Sequence, residues 1–558
     1  MPKSSTQTND LPLALSVSKR GKDLLNDPLL NKGTAFSAQE RNDLKLRALL
    51  PAHVSSIEEQ IQCFLDNHAD KAPLERYIHL EGLHNRNETL YYRILVDHLQ
   101  QMTPTIYTPV VGEACQDYGR IFRDSRGLYL SFRDQGNFQE ILDQCEEEVS
   151  VIVVTDGSRI LGLGDLGANG MGISIGKLAL YVACAGIPPQ KTLPVVLDMG
   201  TSNENLLKDP YYLGERSQRV ENAVLHECVD EFMKAATKRW PNVLIQFEDF
   251  RSHNAIPLLK QHRDSYLSFN DDIQGTGSVI LAGLLGALRI TKSTLQEQRI
   301  VFFGAGSAAI GIADMIVAGM EAEGMTEEEA KNTFWFLDSK GLVTDWRSEA
   351  IAEHKLHYVR HEKHLHTLLE VVEKVKPTVL MGLSGQGGAF TEDVIRAMYK
   401  HNPLPVIFAL SNPTHKTECS AEDAYRWTDG RAIYSSGSPF APVTLRGKYR
   451  VPGQGNNMYI FPGVGLGAVL CKTKKITDTM FYAASIALSK KVSDEDLEQH
   501  CVYPKLTLIR EVSEEIAVAV CKVAFKEELA QIERPDDLKQ FVREQMYFPC
   551  YQEYRATE

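Results

Sequence analysis

Short apolar runs rich in β-branched residues recur through the middle of this chain, each followed by a turn and then by a stretch of helical periodicity. The first is 149–154, closed by the turn Asp156-Gly157. Runs at 193–197, 243–247, 299–303, 333–337, 378–381 and 406–409 repeat it, with helical patterns at 176–185 and 219–239 between them. A strand that is apolar on both faces is buried on both, and strands alternating with helices join into a parallel sheet covered by those helices. Seven such runs predict an α/β middle with two sheets.

At 558 residues the chain exceeds one ordinary core, so several domains are expected. Residues 37–103 read as helices: Ser37-Ala38-Gln39-Glu40 is a capping-box pattern, and 56–65 and 74–99 carry apolar residues at helical spacing. From residue 478 onward the pattern is again helical. The expected organisation is a helical N-terminal domain over 1–124 and a parallel-sheet substrate and metal domain over 125–270, completed by 457–535. A Rossmann-type NAD(P) domain over 271–456 and a tail over 536–558 make up the rest.

Two glycine-rich loops compete for a dinucleotide. Gly304-Ala305-Gly306-Ser307-Ala308-Ala309 follows the run 299–303 directly and opens an amphipathic helix at 310–318. That context gives a tight turn, close backbone approach to a pyrophosphate and a helix N-terminus aimed at its charge. Asp338 ends the next strand, where an acid that binds a ribose belongs. Ser339 and Lys340 after it could hold and neutralise a 2′-phosphate, so NAD and NADP both stay open. Gly162-Leu163-Gly164-Asp165-Leu166-Gly167 has the same glycine spacing, but a turn precedes it and Asp165 would face phosphate. It is read as a structural turn near the substrate.

Two pairs of acids sit where a parallel sheet gathers its ligands, at strand C-termini. Glu248 and Asp249 close the run 243–247; Asp271 and Asp272 stand in Ser268-Phe269-Asn270-Asp271-Asp272-Ile273-Gln274-Gly275, just before an apolar helix. Four converging carboxylates repel one another unless a cation sits among them, and all-oxygen ligation selects Mg²⁺ or Mn²⁺ over zinc. Taken singly, Asp272 or Asn270 is a helix cap and the other acids are solvated.

The net charge of -13 argues against nucleic acid as a partner. Ten cysteines without a Cys-x-x-Cys pair fit reduced thiols. No apolar run reads as long enough to span a bilayer, and the first 31 residues mix Lys3, Lys19, Arg20 and Lys22 with Asp10, Asp23 and Asp27, so a cytoplasmic protein is expected.

Several ordered motifs resemble the malic enzymes: Tyr107-Thr108-Pro109-Val110-Val111-Gly112, the run from Thr155 to Lys177, Gln246 to Phe250, and Phe269 to Thr276. Phe303 to Ala308, Ala409-Leu410-Ser411-Asn412-Pro413-Thr414 and Pro452-Gly453-Gln454-Gly455-Asn456-Asn457 complete a similarity spanning roughly 70–540. The resemblance implies oxidative decarboxylation of L-malate to pyruvate and CO₂ with reduction of NAD or NADP. It implies that Glu248, Asp249 and Asp272 ligate the metal and that Lys177 and Asp271 handle the hydroxyl proton. Tyr107 would protonate the enol, and Arg159, Asn412 and Asn457 would hold substrate carboxylates. Gly304, Gly306, Ser307, Ala308, Asp338, Ser339, Lys340 and Asn412 would face the cofactor. A homo-oligomer, dimer or tetramer, is implied in the same way.

A malolactic-type lyase would use the same site and release lactate, a plain hydroxy-acid dehydrogenase would not need the acids, and a non-catalytic nucleotide-binding regulator would have lost them. The histidines at 354, 357, 361, 364 and 366 do not form an H-E-x-x-H zinc pattern and are read as a solvated helix. Arg86 resembles part of an effector site of some relatives, without an identified second arginine.

Overall fold

The computed structural model describes residues 14–145 and 147–557. The reading of residues 1–13 as part of a cytoplasmic N-terminus therefore lies outside the described residues. The chain divides into two compact units, residues 1–126 with 547–558 and residues 127–546.

The first unit is mainly helical. Ser37 and Ser56 each cap a helix through a complete capping box, as the sequence pattern requires. The periodic stretch 74–99 is two helices rather than one, Pro73–His84 and Glu88–Asp97. The break falls where the Asn87 side chain accepts from Leu90 N and starts a second helix. A strand Leu15–Val17 (β1) pairs in parallel with the C-terminal strand Tyr554–Ala556. Between them Lys32 is buried, donating to Glu40 at 2.5 Å with its ammonium 3.8 Å from the Tyr554 ring centre.

The second unit contains two parallel sheets. The first is built from Leu128–Ser131 (β2), Val151–Thr155 (β3), Thr192–Asp198 (β4), Leu244–Phe247 (β5) and Ser268–Asn270 (β6), in the order β2-β4-β3-β5-β6. All four pairings are parallel, with Val151 opposite Thr192 on one side and Leu244 on the other. Strands β3, β5 and β6 are buried at every position, which is why β3 and β5 read as apolar runs, broken in β5 only by Gln246.

The second sheet takes Ile300–Phe303 (β7), Phe334–Asp338 (β8), Gly341–Leu342 (β9), Val379–Gly382 (β10), Val406–Ala409 (β11) and Ile433–Ser436 (β12). A surface hairpin, Val443–Leu445 (β13) with Lys448–Arg450 (β14), precedes the last strand, Gly453–Gln454 (β15). The order is β15-β12-β11-β10-β7-β8-β9, parallel except at the β8/β9 edge. The chain starts at β7 in the middle, builds outward through β8, then crosses back to β10. That reversal opens a crevice at the carboxyl ends of β7 and β10, the dinucleotide position of a Rossmann fold.

Two helices contradict the expectation that no apolar segment is long enough for a bilayer. Gly167–Ala185 and Asp271–Thr291 span 19 and 21 residues at membrane-like hydropathy. The first is buried along its whole length and the second over most of it, so their composition answers to packing on every side.

Candidate functional site

In the first sheet the order also reverses, since β4 lies on one side of β3 and β5 on the other. The carboxyl ends of β3, β5 and β6 therefore share one rim. Beyond β5 the backbone turns through Asp249 at φ 57°, and beyond β6 it enters a wide turn, Asp271–Gly275, capped by the Asn270 side chain on Ile273 N. These two turns bring one oxygen each of Glu248, Asp249 and Asp272 within 4.8 Å of one another. Asp249 N donates to Asp272 Oδ2 at 2.8 Å and Leu161 N donates to Asp249 Oδ2 at 2.9 Å. Behind them Gln246 donates to Glu248 Oε2 at 2.8 Å and is itself oriented by Tyr181 Oη at 2.6 Å.

Burial pushes the Glu248 carboxyl well above the usual range, and Asp272 above its ordinary value. Burial and the neighbouring Asp272 push Asp249 up to about 8. Three desolvated carboxylates in mutual contact hold their charge only beside a cation. The donor set is all oxygen, with no histidine or thiol, so it fits a hard divalent ion of the Mg²⁺ or Mn²⁺ kind.

Lys177 reaches this cluster from the helix Met171–Ala185, which follows β3 and has no exposed residue. Its ammonium donates to Asp271 Oδ2 at 2.5 Å and lies 3.0 Å from Glu248 Oε1. The Phe461 ring centre is 4.7 Å away. Asn457 Nδ2 donates to the same Asp271 Oδ2 at 3.0 Å and to Asp271 O at 3.1 Å. Asp271 Oδ1 accepts no hydrogen bond among the described residues, although the residue is fully buried. A lysine, a carboxylate with one open oxygen and three metal-capable acids thus share one largely buried pocket. That set can move a proton next to a bound cation.

Arg159 follows β3; its N–H donates to Asp249 O at 3.2 Å, and its positive charge acts on both Asp249 and Asp272. Its side chain is exposed. Asn412 stands past the end of β11, its Oδ1 accepting from Ser438 Oγ at 2.7 Å. Tyr107 belongs to the N-terminal unit, where it is buried at the C-terminus of the helix Leu99–Ile106.

The crevice of the second sheet is a groove of about 430 Å³. Gly304, Ala305 and Gly306 form one wall, Asp338, Ser339, His354 and Lys355 another, and Leu383, Ser384 and Gln386 the third. Gly304 has φ 116°, and a Cβ there would stand 2.4 Å from Leu383 O, so only glycine fits. Ser307 and Ala308 open the helix Ser307–Ala322 behind the glycines, with Ser307 Oγ donating to Ser252 Oγ at 2.7 Å.

Lys340 is exposed and does not line this groove; the cation that does is Lys355. Lys355 Nζ donates to Asp338 Oδ2 at 2.7 Å, while Arg347 Nη1 reaches both Asp338 oxygens at 3.0 and 3.1 Å. These contacts hold the Asp338 carboxyl below its ordinary range against the effect of burial. Sequence reasoning missed both cations, because they lie 9 and 17 residues beyond Asp338 in a segment without periodicity. The histidine-rich stretch is a short turn of 3₁₀ helix, Glu353–Tyr358, followed mainly by loop, not the solvated helix expected. Within it His354 bonds to Ala305 O at 3.2 Å and lines the groove. The second glycine motif forms a loop held by Asp165, which is ion-paired to Arg219.

Residues 84–263 match the family described as "Malic enzyme, N-terminal domain", and residues 273–525 match "Malic enzyme, NAD binding domain". An "NADP-dependent malic enzyme" of Dictyostelium discoideum is 50% identical over 95% of this chain and 98% of that protein. One of Homo sapiens is 47% identical over 97% and 96%. A chloroplastic one of Oryza sativa is 46% identical over 98% of this chain and 86% of that protein. Among solved structures, a malic enzyme of Entamoeba histolytica superposes with a TM-score of 0.57 at 22% identity, covering 92% of each chain.

Proposed function

The chain belongs to the malic enzyme family, and we propose that it oxidises and decarboxylates L-malate to pyruvate and CO₂ with NADP as the preferred acceptor and a divalent cation held by Glu248, Asp249 and Asp272. The observation that carries this reading is the Lys177–Asp271 pair, buried against three acids that fit one cation. When bound, the nicotinamide supplies a hydride acceptor and the cation a Lewis acid for the substrate oxygens.

Lys177 and Asp271 take the C2 hydroxyl proton. A lysine serves as base when it can surrender its proton to a partner, and Asp271, with one open oxygen, is that partner. Asn457 holds Asp271 in register and, with Asn412, is assigned to the substrate. Arg159 binds a malate carboxylate through its exposed guanidinium. Tyr107 is assigned delivery of the proton to C3, by resemblance to the family.

Preference for NADP is supported by the relatives, which are NADP-dependent malic enzymes, and by the charge around Asp338. An acid in that position favours a ribose hydroxyl and repels a 2′-phosphate. Here two cations neutralise it, and Ser339 and Lys355 line the groove beside it. A homo-oligomer, a tetramer in the family pattern, and a cytoplasmic location belong to the same proposal; sedimentation and cell fractionation check them.

The test is steady-state turnover with L-malate, Mn²⁺ and each cofactor in turn. Reduced cofactor and pyruvate should appear together, more efficiently with NADP than with NAD. Pyruvate-free reduction, or lactate without net reduction, would overturn the reading.

A further inference from the structure

The loop between β3 and the helix Met171–Ala185 carries Arg159 at one end and the second glycine motif at the other. Two arginines tie its ends together: the buried Arg219, and the partly exposed Arg251, which donates to Ser158 O at 3.3 Å and to Asp165 Oδ2 at 3.4 Å. Arg219 Nε and Nη2 donate in a fork to Asp165, each at 2.8 Å, while Nη1 donates to Asp156 O at 3.0 Å and faces Asp156 Oδ2 at 3.4 Å. Its side chain is 9% exposed, and those of Asp156 and Asp165 are 0% and 5%. Asp165 also accepts from Thr201 Oγ1 at 2.8 Å, Ser202 N at 3.0 Å and Gly167 N at 3.0 Å. Asp156 accepts from Ser158 N and Oγ at 3.0 and 2.6 Å. The bonds to Asp156 O, Ser158 N and Gly167 N fix backbone at the loop's base, and those from Thr201 and Ser202 anchor it to the chain beyond β4.

Both substrate-facing elements of the loop lie between those two acids. Arg159 N donates to Asp249 O, and Leu161 N donates to Asp249 Oδ2 at 2.9 Å although Leu161 sits at φ 46°. A leucine in the left-handed region is costly and persists only where its surroundings over-determine it. Three glycines with positive φ, at 157, 162 and 164, let the chain fold back on itself within this span.

We propose that Arg219 is a positioning residue: by bridging Asp156 and Asp165 it holds the loop 157–164 so that Arg159 and the Leu161 N–H stay on the metal-binding acids. The second glycine motif is then the hinge of a substrate loop, not a cofactor site. This inference rests on the reading of Arg159 as a carboxylate binder, but its metal arm does not.

The experiment compares Arg219→Met, Arg219→Lys and Arg159→Gln, alone and with Arg159→Gln/Arg219→Met, by malate and NADP kinetics and by Mn²⁺ titration. R219M should raise the malate KM by about tenfold and weaken Mn²⁺ by a similar factor, as loss of a group that orients ligands does, with the NADP KM within about twofold. R219K keeps a buried cation, and therefore the fold, but cannot form the fork. It should show the same split at roughly threefold. The double variant should add little to the malate KM of R159Q. Equal rises in malate and NADP KM, or a fully additive double variant, would overturn the clamp. An unchanged malate KM in R159Q would instead remove the role of Arg159. In that case wild-type Mn²⁺ affinity in folded R219M or R219K overturns the clamp, and weakened affinity supports it.

Discussion

The Lys177 ammonium, on a helix with no exposed residue, and Oδ2 of Asp271, fully buried in the turn after β6, are 2.5 Å apart and compensate each other's charge. Removing one partner leaves a buried, uncompensated charge, which is more disruptive than losing both. Lys177→Met and Asp271→Asn are each expected to lower kcat by roughly 10² to 10⁴, the usual contribution of a proton-transferring group. The NADP KM should stay near the wild-type value, since neither residue lines the cofactor groove. Initial rates at saturating malate give the answer, and a kcat within about threefold of wild type would remove the pair from proton transfer.

Lys355 is expected to set cofactor preference. Its loss leaves Asp338 paired to Arg347 alone and strips the groove of its cation. Lys355→Gln should cut kcat/KM for NADP on the order of tenfold or more while leaving NAD unchanged or improved. Lys340→Gln, altering an exposed residue outside the groove, should change the ratio little. The reverse ranking of the two variants would assign the 2′-phosphate to Lys340.

What could be read from the sequence follows from burial. Strands packed on both faces, such as β3 and β11, are apolar almost throughout and so announce themselves. Ser268–Asn270 did not, because it is three residues long, ends in polar groups and serves mainly to deliver Asp271 and Asp272. The stretch 74–99 kept helical periodicity across its break because Leu83 and Leu90 both face a core; only the cap at Asn87 betrays it. The acid pairs Glu248/Asp249 and Asp271/Asp272 follow directly on strand ends and were legible there as a cluster, whereas Lys177, inside a helix, entered only through the family resemblance. Arg219 was not: its partners are 54 and 63 positions away, and nothing local marks an arginine that will be buried.

His500 supplies a pH test of the fold that does not touch the catalytic groups. Burial, with Arg450 and Arg431 nearby, pushes its imidazole from 6.5 down to about 4, so it stays neutral in the folded chain while its Nδ1–H donates to Ala432 O at 2.8 Å. Unfolded, it takes up a proton below 6.5. The unfolded state then binds more protons between about 4 and 6.5, so stability is full above 6.5 and is lost as pH falls through that window. The loss attributable to this residue is at most about 3 kcal/mol. His500→Asn, which tolerates the positive φ at this position, should flatten the pH dependence of the denaturation midpoint. An unchanged slope would show that His500 titrates normally in the folded chain.

Gly275 tests whether the geometry of Asp271, and not just its presence, matters. It lies one turn beyond Asp271, and a Cβ there would fall 1.9 Å from Asp271 Oδ1. Its backbone is right-handed helical, at φ -63°, so alanine strains nothing in the main chain. The only relief is to swing the carboxylate, and Oδ2 then leaves both Lys177 and Asn457. Gly275→Ala is therefore expected to fold and to bind NADP as wild type does, because the groove glycines are untouched. Its kcat should fall by about tenfold or more, in the direction of Asp271→Asn, and adding Asp271→Asn should lower it little further. A G275A enzyme with wild-type kcat would mean that Asp271 works from more than one position, and that its contact with Lys177 is not what catalysis needs.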